Sequence, residues 1–212
     1  MKYWVVSILT AIIACGFGNL DTMVLASNFV FRKNLRRLGR GNTFISNFRR
    51  VYGIKGVLEL LAVELVRDLL PILIGGFLFG RIEHADMGYI MAGICLCIAR
   101  MWPYLYDLKG STAFICYLIT CIFIDKSAAI AALVLFAGVV WGTRYIPLGI
   151  AISAVINIVI GVLVVDDSLT LRLFIILNVL MAVHCVPALL RIRKQQEEKL
   201  SFRNDFSYKF DE

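Results

Sequence analysis

Long apolar runs, separated by short polar turns, occupy most of the chain. A membrane-spanning helix takes about 20 apolar residues at a rise of about 1.5 Å per residue. Seven runs can be delimited, and they cover residues 3–31, 54–79, 87–101, 112–124, 128–141, 145–165 and 169–190. The third and fourth runs are short for a full crossing, so we expect them to be tilted, partly re-entrant or covered by neighbouring helices. The pattern predicts an all-α integral membrane protein with about seven transmembrane helices.

Composition supports the same class. Of the 212 residues, 60% are hydrophobic and 17% are charged, and the mean hydropathy is +0.81. Average soluble domains are about 45–50% apolar and about 25% charged. A soluble globular domain is therefore improbable, and a disordered chain, collagen and a disulfide-rich secreted scaffold are excluded. We predict a single polytopic membrane domain over 1–190 and a cytoplasmic tail over 191–212, basic at first and then of mixed charge.

Basic residues are concentrated on one side of the predicted membrane. The stretch 32–53 contains seven Lys and Arg and no acidic residue, and the tail from Arg191 contains six more of the 22 in the chain. With seven spans, the loops on one side carry 16 basic residues and those on the other carry 4. Short basic loops stay in the cytoplasm, which places the N-terminus outside and the tail inside. Basic charge beside a membrane attracts anionic lipid head groups, so membrane lipids are expected partners and nucleic acid is not.

Three of the ionic residues inside the second apolar run are closely spaced. Glu64, Arg67 and Asp68 are spaced at i, i+3 and i+4, so on a helix they share one face and can pair locally. A charged residue in a spanning helix costs about 2.5–3.5 kcal/mol and usually faces the bundle interior. Two interpretations stay open: a self-neutralising cluster that holds this helix against its neighbours, or the lining of a polar pocket.

Cysteine and histidine positions predict no metal site. All six cysteines lie in apolar runs, where Cys acts as a small hydrophobic residue, and the chain has no Cys-x-x-Cys pair. Neither of the two histidines has a ligand-type neighbour at i+3 or i+4. We therefore expect neither a metal nor a cofactor.

The first basic loop has the composition of an anion site. Two glycines flank one residue and are followed by amide, hydroxyl and guanidinium side chains, in the order Gly39, Arg40, Gly41, Asn42, Ser46, Asn47 and Arg50. Glycines allow tight turns whose N–H groups surround an anion, and Asn, Ser and Arg add donors suited to phosphate. A basic loop beside a membrane has a similar composition, so the pattern alone is a weak signal.

Two further loops on the same predicted side carry basic residues. The third run ends at Arg100, and the loop after it contains Pro103, Lys109 and Gly110, while Arg144 and Tyr145 precede the sixth run. Trp and Tyr residues in the loop after Arg100 fit the membrane interface on physical grounds alone. No catalytic triad can be assembled, because a serine nucleophile needs a His or Lys base within reach.

In order and spacing, these segments resemble the bacterial acyl-phosphate:glycerol-3-phosphate acyltransferase family, also called PlsY. The family's glycine-serine-glycine-asparagine motif resembles 39–42. Its acidic-x-x-Lys-Gly element resembles Glu64, Arg67 and Asp68. Its glycine-histidine-x-x-proline segment and lysine-glycine loop resemble 99–113. The resemblance implies seven spans, a bacterial plasma-membrane location, and transfer of a fatty acyl group from acyl phosphate to glycerol 3-phosphate in phosphatidic acid synthesis.

The resemblance also implies site residues. Substrate or phosphate binding is expected at Gly39, Gly41, Asn42, Ser46, Asn47, Arg50, Lys109, Gly110 and Arg144. Departures from the family pattern include the motif serine, which is Arg40, the motif histidine, which is Arg100, a loop lysine, which is Thr112, and the tail acid, which is Lys194. Arg cannot act as a general base, but it can stabilise a phosphate or an oxyanion, so Arg40 and Arg100 are the catalytic candidates.

Two functions therefore remain open from the sequence. The first is an acyltransferase in which positioning and charge stabilisation drive transfer and a substrate phosphate accepts the proton. The second is a catalytically inactive paralogue that binds phosphate or anionic lipid as a regulator or partner. A transporter is a weaker third interpretation, because the chain shows no convincing internal repeat.

Overall fold

The computed structural model of the chain describes residues 3–29, 32, 45–104 and 113–195. Within these residues the regular structure is α-helical and contains no strand, which confirms the all-α prediction. The helices are α1 (Tyr3–Gly18), α2 (Thr22–Phe29), α3 (Ile45–Gly80), α4 (Ala85–Met101), α5 (Phe114–Ile124), α6 (Lys126–Thr143), α7 (Ile146–Val164) and α8 (Ser168–Arg193).

The lengths of the helices can be compared with the length that is needed to cross a membrane. Among the described residues, α6, α7 and α8 are long and apolar enough to cross a membrane. Two further apolar helices, α1 and α5, are shorter. At 11 residues, α5 is about 16 Å long, about half of the hydrocarbon thickness of a bilayer, as the short fourth run predicts.

The first two apolar runs differ from the helices that they form. The first run becomes α1 and α2, and the break falls at 19–21, where Asn19 and Asp21 interrupt the apolar pattern. The second run was expected to begin at Ile54 after a basic loop, but α3 already begins at Ile45. Gly53 bends this helix with a left-handed φ of 73°, a conformation that glycine adopts without a Cβ clash.

The described residues divide into two compact units. The first contains 3–19, 68–104 and 113–195, and the second contains 20–29, 32 and 45–67. The predicted boundary between a membrane domain and a tail at residue 190 stays a prediction, because 196–212 lie outside the described residues.

The core of the first unit combines small residues with a few large ones. Ala14, Ala92 and Cys97 are fully buried beside larger side chains such as Leu96 and Met181. Small residues let helix backbones approach closely, which is the usual basis of helix packing in membranes. A Cβ on Gly75 of α3 would lie 2.6 Å from the Cβ of Ala92, so these backbones touch where α3 meets α4.

Contacts between neighbouring helices show that the chain direction alternates from α4 to α8. The Sγ atoms of Cys97 and Cys116 are 3.0 Å apart, and Gly93 lies against Thr120, so α4 and α5 are antiparallel. The later connections are one to three residues long, and α6 packs on both α5 and α7. Short connections of this kind join antiparallel neighbours. The C-terminal ends of α4, α6 and α8 therefore lie at the same end of the first unit.

Aspartates fix the starts of two helices in the connections. The Asp125 carboxylate accepts a hydrogen bond from the Ala128 backbone N–H at 2.9 Å and another from the Ser127 hydroxyl. These hydrogen bonds, that of Ser127 above all, hold the pKa of Asp125 below its usual value. Asp167 caps α8 in the same way through the Thr170 backbone N–H. The polar residues that separate apolar runs in the sequence thus begin helices in the structure.

The second unit has a small apolar core of its own. Phe48 and Leu60 are fully buried within it, together with Ala26 of α2. The hydroxyl groups of Ser27 and Tyr52 are 2.7 Å apart and join α2 to α3 through a hydrogen bond. This core explains why α3 begins before Ile54: Phe48 and Val51 supply buried apolar side chains within the stretch predicted as a loop.

Candidate anion-binding and acyl-transfer site

The predicted phosphate segment is described in part, and its described residues belong to the second unit. Gly39, Arg40, Gly41 and Asn42 lie outside the described residues. Ser46 and Asn47 belong to the first turn of α3, and Arg50 follows one turn later. A helix N-terminus presents unpaired N–H groups and the positive end of the helix dipole, which favours a bound anion.

Arg100 lies in the last turn of α4, which ends at Met101. Its side chain is 3% exposed, and its Nη1 atom lies 2.9 Å and 3.0 Å from the two carboxylate oxygens of Asp68. The side chain of Asp68 is fully buried. Arg100 was expected to open a polar loop, but it is a buried residue that is paired with a residue of another helix.

Three ionic residues of the second apolar run are buried: Glu64 is 4% exposed, Arg67 7% and Asp68 0%. Local pairing was one expectation for this cluster. In the second unit, Nη1 of Arg67 donates a hydrogen bond to the backbone carbonyl of Leu20. In the first unit, Asp68 binds Arg100 of α4. Arg67 and Asp68 therefore hold this helix to other segments, and the choice between the two interpretations of the cluster stays open.

Arg144 joins α6 to α7 in an uncommon backbone conformation. Its φ and ψ are 63° and 18°, in the left-handed region, and its N–H donates to the carbonyl of Val140 at 2.8 Å. A residue with a Cβ costs about 1–2 kcal/mol in this region, where glycine is the usual choice. The side chain is exposed. The conformation is fixed by the abrupt turn between two long helices, and it presents a guanidinium group at their connection.

The first-unit candidates share one end of the helical bundle. Arg100 lies in the last turn of α4, and Arg144 follows the end of α6. Because the chain direction alternates from each helix to the next, α4 and α6 run in the same direction and these two residues lie at the same end. Lys109 and Gly110 lie outside the described residues, in the connection between α4 and α5. The basic end of α8, with Arg191 and Arg193, lies at the same end. Of the basic residues that the sequence assigns to one side of the membrane, those described in the first unit therefore lie at one end of it.

A network of buried polar side chains links three helices. It was not predicted from the sequence. Tyr117 of α5 hydrogen-bonds to Asn157 of α7 and to Asn178 of α8, and all three side chains are fully buried. The available signal was a lone asparagine in each of two apolar runs, because polar residues in spanning helices usually face a partner. The network fixes α5, α7 and α8 relative to one another.

Comparison with known proteins identifies the family. The family model for glycerol-3-phosphate acyltransferase matches residues 8–198, nearly the whole chain. The chain belongs to the glycerol-3-phosphate acyltransferase family. The glycerol-3-phosphate acyltransferase of Finegoldia magna is 26% identical over 166 residues, which are 78% of this chain and 81% of that protein. The enzyme of Macrococcus caseolyticus is 23% identical over 195 residues, which are 92% of this chain and 97% of that protein.

Solved structures agree with the fold. Two crystal structures of PlsY (YgiH), an integral membrane glycerol 3-phosphate acyltransferase, superpose on this chain. The glycerol 3-phosphate form gives a TM-score of 0.70 at 17% identity and covers 92% of this chain and 96% of its own. The lysophosphatidic acid form gives 0.74 at 16% identity, covering 92% and 95%. This acyltransferase-family chain therefore has the fold of an integral membrane protein.

The roles of individual residues in this acyltransferase-family chain stay predictions. Among the described residues, no group of three or more His, Cys, Asp and Glu side chains is arranged to hold a metal ion. The described candidates, Ser46, Asn47, Arg50, Arg100 and Arg144, are suited to binding anions. Arg groups remain charged in proteins and so contribute attraction for phosphate rather than proton abstraction.

Proposed function

We propose that this membrane glycerol-3-phosphate acyltransferase transfers a fatty acyl group from acyl phosphate to glycerol 3-phosphate and releases lysophosphatidic acid and inorganic phosphate. The observation that carries the proposal is the family match over residues 8–198 on a chain with the matching all-helical fold. The choice of acyl phosphate as donor rests on the resemblance of the motif segments to those of the PlsY family. It also rests on the candidate site residues, among which cationic side chains outnumber side chains that can act as a base.

The reaction suits a site that is rich in cations. A hydroxyl of glycerol 3-phosphate attacks the carbonyl carbon of the acyl phosphate, an ester bond forms, and the bond from the acyl carbon to the phosphate oxygen breaks. The leaving phosphate takes the electron pair, and a substrate phosphate oxygen accepts the hydroxyl proton. The protein then has to position two anions and stabilise the developing oxyanion, for which fixed positive charge is effective.

Each candidate has a role in this scheme. Arg50, Lys109 and Arg144 bind substrate phosphate, together with the amide and hydroxyl groups of Asn42, Ser46 and Asn47. Gly39, Gly41 and Gly110 leave backbone N–H groups open to an anion. Arg40 and Arg100 stabilise charge that develops in the transition state. The buried position of Arg100, away from bulk water, strengthens its electrostatic effect.

The membrane arrangement is part of the proposal. We propose seven spans in the bacterial plasma membrane, with the N-terminus outside and the tail in the cytoplasm. The distribution of basic residues, 16 against 4, supports this orientation. The end of the first unit that contains Arg100, Arg144 and the C-terminus of α8 then faces the cytoplasm, where soluble glycerol 3-phosphate is available.

Direct assay tests the function. The purified protein in lipid is supplied with acyl phosphate and labelled glycerol 3-phosphate, and labelled lysophosphatidic acid is measured. We expect product, and we expect Arg40→Ala and Arg100→Ala each to lower turnover by about tenfold or more, the loss from one charged hydrogen bond. No product, with the Finegoldia magna enzyme active in the same preparation, would contradict the proposal and support the inactive paralogue.

A further inference from the structure

The ion pair between Arg100 and Asp68 joins two positions at which the chain departs from its family's pattern. By the resemblance of the motif segments, Arg100 corresponds to the family's motif histidine and Asp68 to the glycine of its acidic-x-x-Lys-Gly element. They are 32 residues apart in the chain and lie on different helices. The structure brings the two departures into direct contact.

Burial makes each of these charges dependent on the other. The side chains are 3% and 0% exposed, and the apolar residues one turn away on each helix, Ile72 and Leu96, are fully buried. A single buried charge is strongly unfavourable, whereas an opposed and hydrogen-bonded pair compensates much of its desolvation. An arginine at position 100 therefore requires an acid beside it, and Asp68 supplies that acid.

The pair also fixes where the guanidinium lies. Nη1 of Arg100 donates to both carboxylate oxygens of Asp68, so the carboxylate sets the direction of the end of a long and otherwise flexible side chain. Arg100 is in the last turn of α4, at the end of the first unit where Arg144 follows α6. A fixed positive charge at that end can stabilise an anion whose shape changes during the reaction, because the guanidinium group does not have to move.

We propose that Asp68 is a positioning residue that holds the Arg100 guanidinium for acyl transfer, so that this buried pair acts as one unit in place of a glycine and a histidine. The inference rests on the proposed function. It assigns to Asp68 a role through Arg100, and it explains why both positions differ from the family pattern in the same chain.

A double-mutant cycle separates this role from a structural one. The variants are Asp68→Asn, Arg100→Gln and the two combined, each measured for thermal unfolding and for kcat and KM per folded molecule. Asp68→Asn leaves a buried guanidinium without its carboxylate, and we expect a melting temperature lower by about 5 °C or more. We expect kcat to fall at least about tenfold with KM for glycerol 3-phosphate changed less than about twofold, the pattern of a group that acts in the transition state.

The combined variant decides between the two roles. Asparagine and glutamine are neutral and can hydrogen-bond to each other, so we expect the melting temperature to recover most of its loss. Activity should stay at the level of Arg100→Gln, because the guanidinium is absent. Asp86→Asn is the matched control: it removes an exposed carboxylate from the first turn of α4 and should change neither quantity.

Two results would overturn the positioning role: recovery of activity together with stability in the combined variant, or an unchanged kcat in Asp68→Asn. An inactive wild-type protein would instead overturn the proposed function, and the positioning role in acyl transfer with it. The melting temperatures distinguish these cases, because the coupling between the two side chains is measured there without any substrate.

Discussion

The Tyr117 hydroxyl donates a hydrogen bond to Oδ1 of Asn178 across 2.7 Å, and the Asn157 side-chain amide donates to the same hydroxyl across 2.8 Å. One phenol oxygen thus connects α5, α7 and α8. Asn178 in turn donates to the Phe174 carbonyl within its own helix. In an apolar interior these polar groups have no water to bind, so the network determines the relative positions of three helices.

Removal of the Tyr117 hydroxyl should destabilise the protein. Tyr117→Phe keeps the ring but leaves an amide of Asn157 and an oxygen of Asn178 without this partner, which costs about 1–3 kcal/mol. We expect the melting temperature to fall by about 2–4 °C for each kcal/mol lost. Tyr104→Phe, at a side chain that is 86% exposed, is the control and should not change it. Equal melting temperatures for the two variants would contradict the network.

Close packing of α3 on α4 gives a second stability prediction. A Cβ on Gly75 would lie 2.6 Å from the Cβ of Ala92 and 2.7 Å from the Gly88 carbonyl oxygen. Gly75→Ala should therefore destabilise by about 1–3 kcal/mol through overpacking. Gly138→Ala is the control, because a Cβ added at Gly138 would meet no neighbouring atom within 4 Å. It should leave the melting temperature unchanged or raise it slightly, since alanine favours helix. The thermal unfolding of both variants in the same detergent checks the difference.

Helix ends could be predicted better from the sequence than helix partners. The fourth run was expected to end at Ile124, and α5 ends there, because Asp125 both interrupts the apolar pattern and caps the next helix. The pairing of Arg100 with Asp68 was not predictable, since helical periodicity relates only residues three or four positions apart. The early start of α3 was missed as well, because the apolar residues Phe48 and Val51 are scattered among basic ones.

The same limit applies to the candidate site. A lone charge in an apolar run indicates that a partner exists, but it does not identify the partner, and Arg100 was first interpreted as a loop residue. The left-handed conformation of Arg144 is also set by its surroundings: two long helices must reverse within two residues. By contrast, the clustering of basic residues at one end of the unit followed directly from counting charges along alternating segments.

The capping aspartate of α6 predicts a dependence of stability on pH. The hydrogen bonds from Ser127 and the Ala128 backbone lower the pKa of Asp125 in the folded protein. A lowered folded pKa means that the contribution is present above the unfolded pKa of about 3.9 and is lost as the pH falls through the folded value. We expect Asp125→Ala to lower the melting temperature at pH 7, where loss of a cap costs about 1 kcal/mol.

The difference between the wild-type protein and Asp125→Ala should become smaller below about pH 4 as the carboxylate is protonated. Asp166→Ala removes an exposed acid next to the cap of α8 without removing a cap, and it should have little effect at either pH. Thermal unfolding of the three proteins between pH 3 and pH 7 measures how the difference in melting temperature depends on pH. A difference that grows on acidification would show that the carboxylate does not act as the cap.

Substrate binding by Arg144 can be tested against an arginine near the opposite end of the first unit. Arg144 precedes α7, whereas Arg172 lies one turn into α8, which begins after the opposite end of α7 and runs back alongside it. A 19-residue helix is about 28 Å long, so the two arginines are about 20 Å apart along the helix axis. Arg144→Gln keeps a side chain of similar length and removes the charge. If Arg144 binds the phosphate of glycerol 3-phosphate, KM should rise about tenfold, which corresponds to one charged hydrogen bond. Arg172→Gln should leave KM unchanged. Equal effects of the two substitutions would assign the change to net charge, and an unchanged KM in Arg144→Gln would remove this residue from the site.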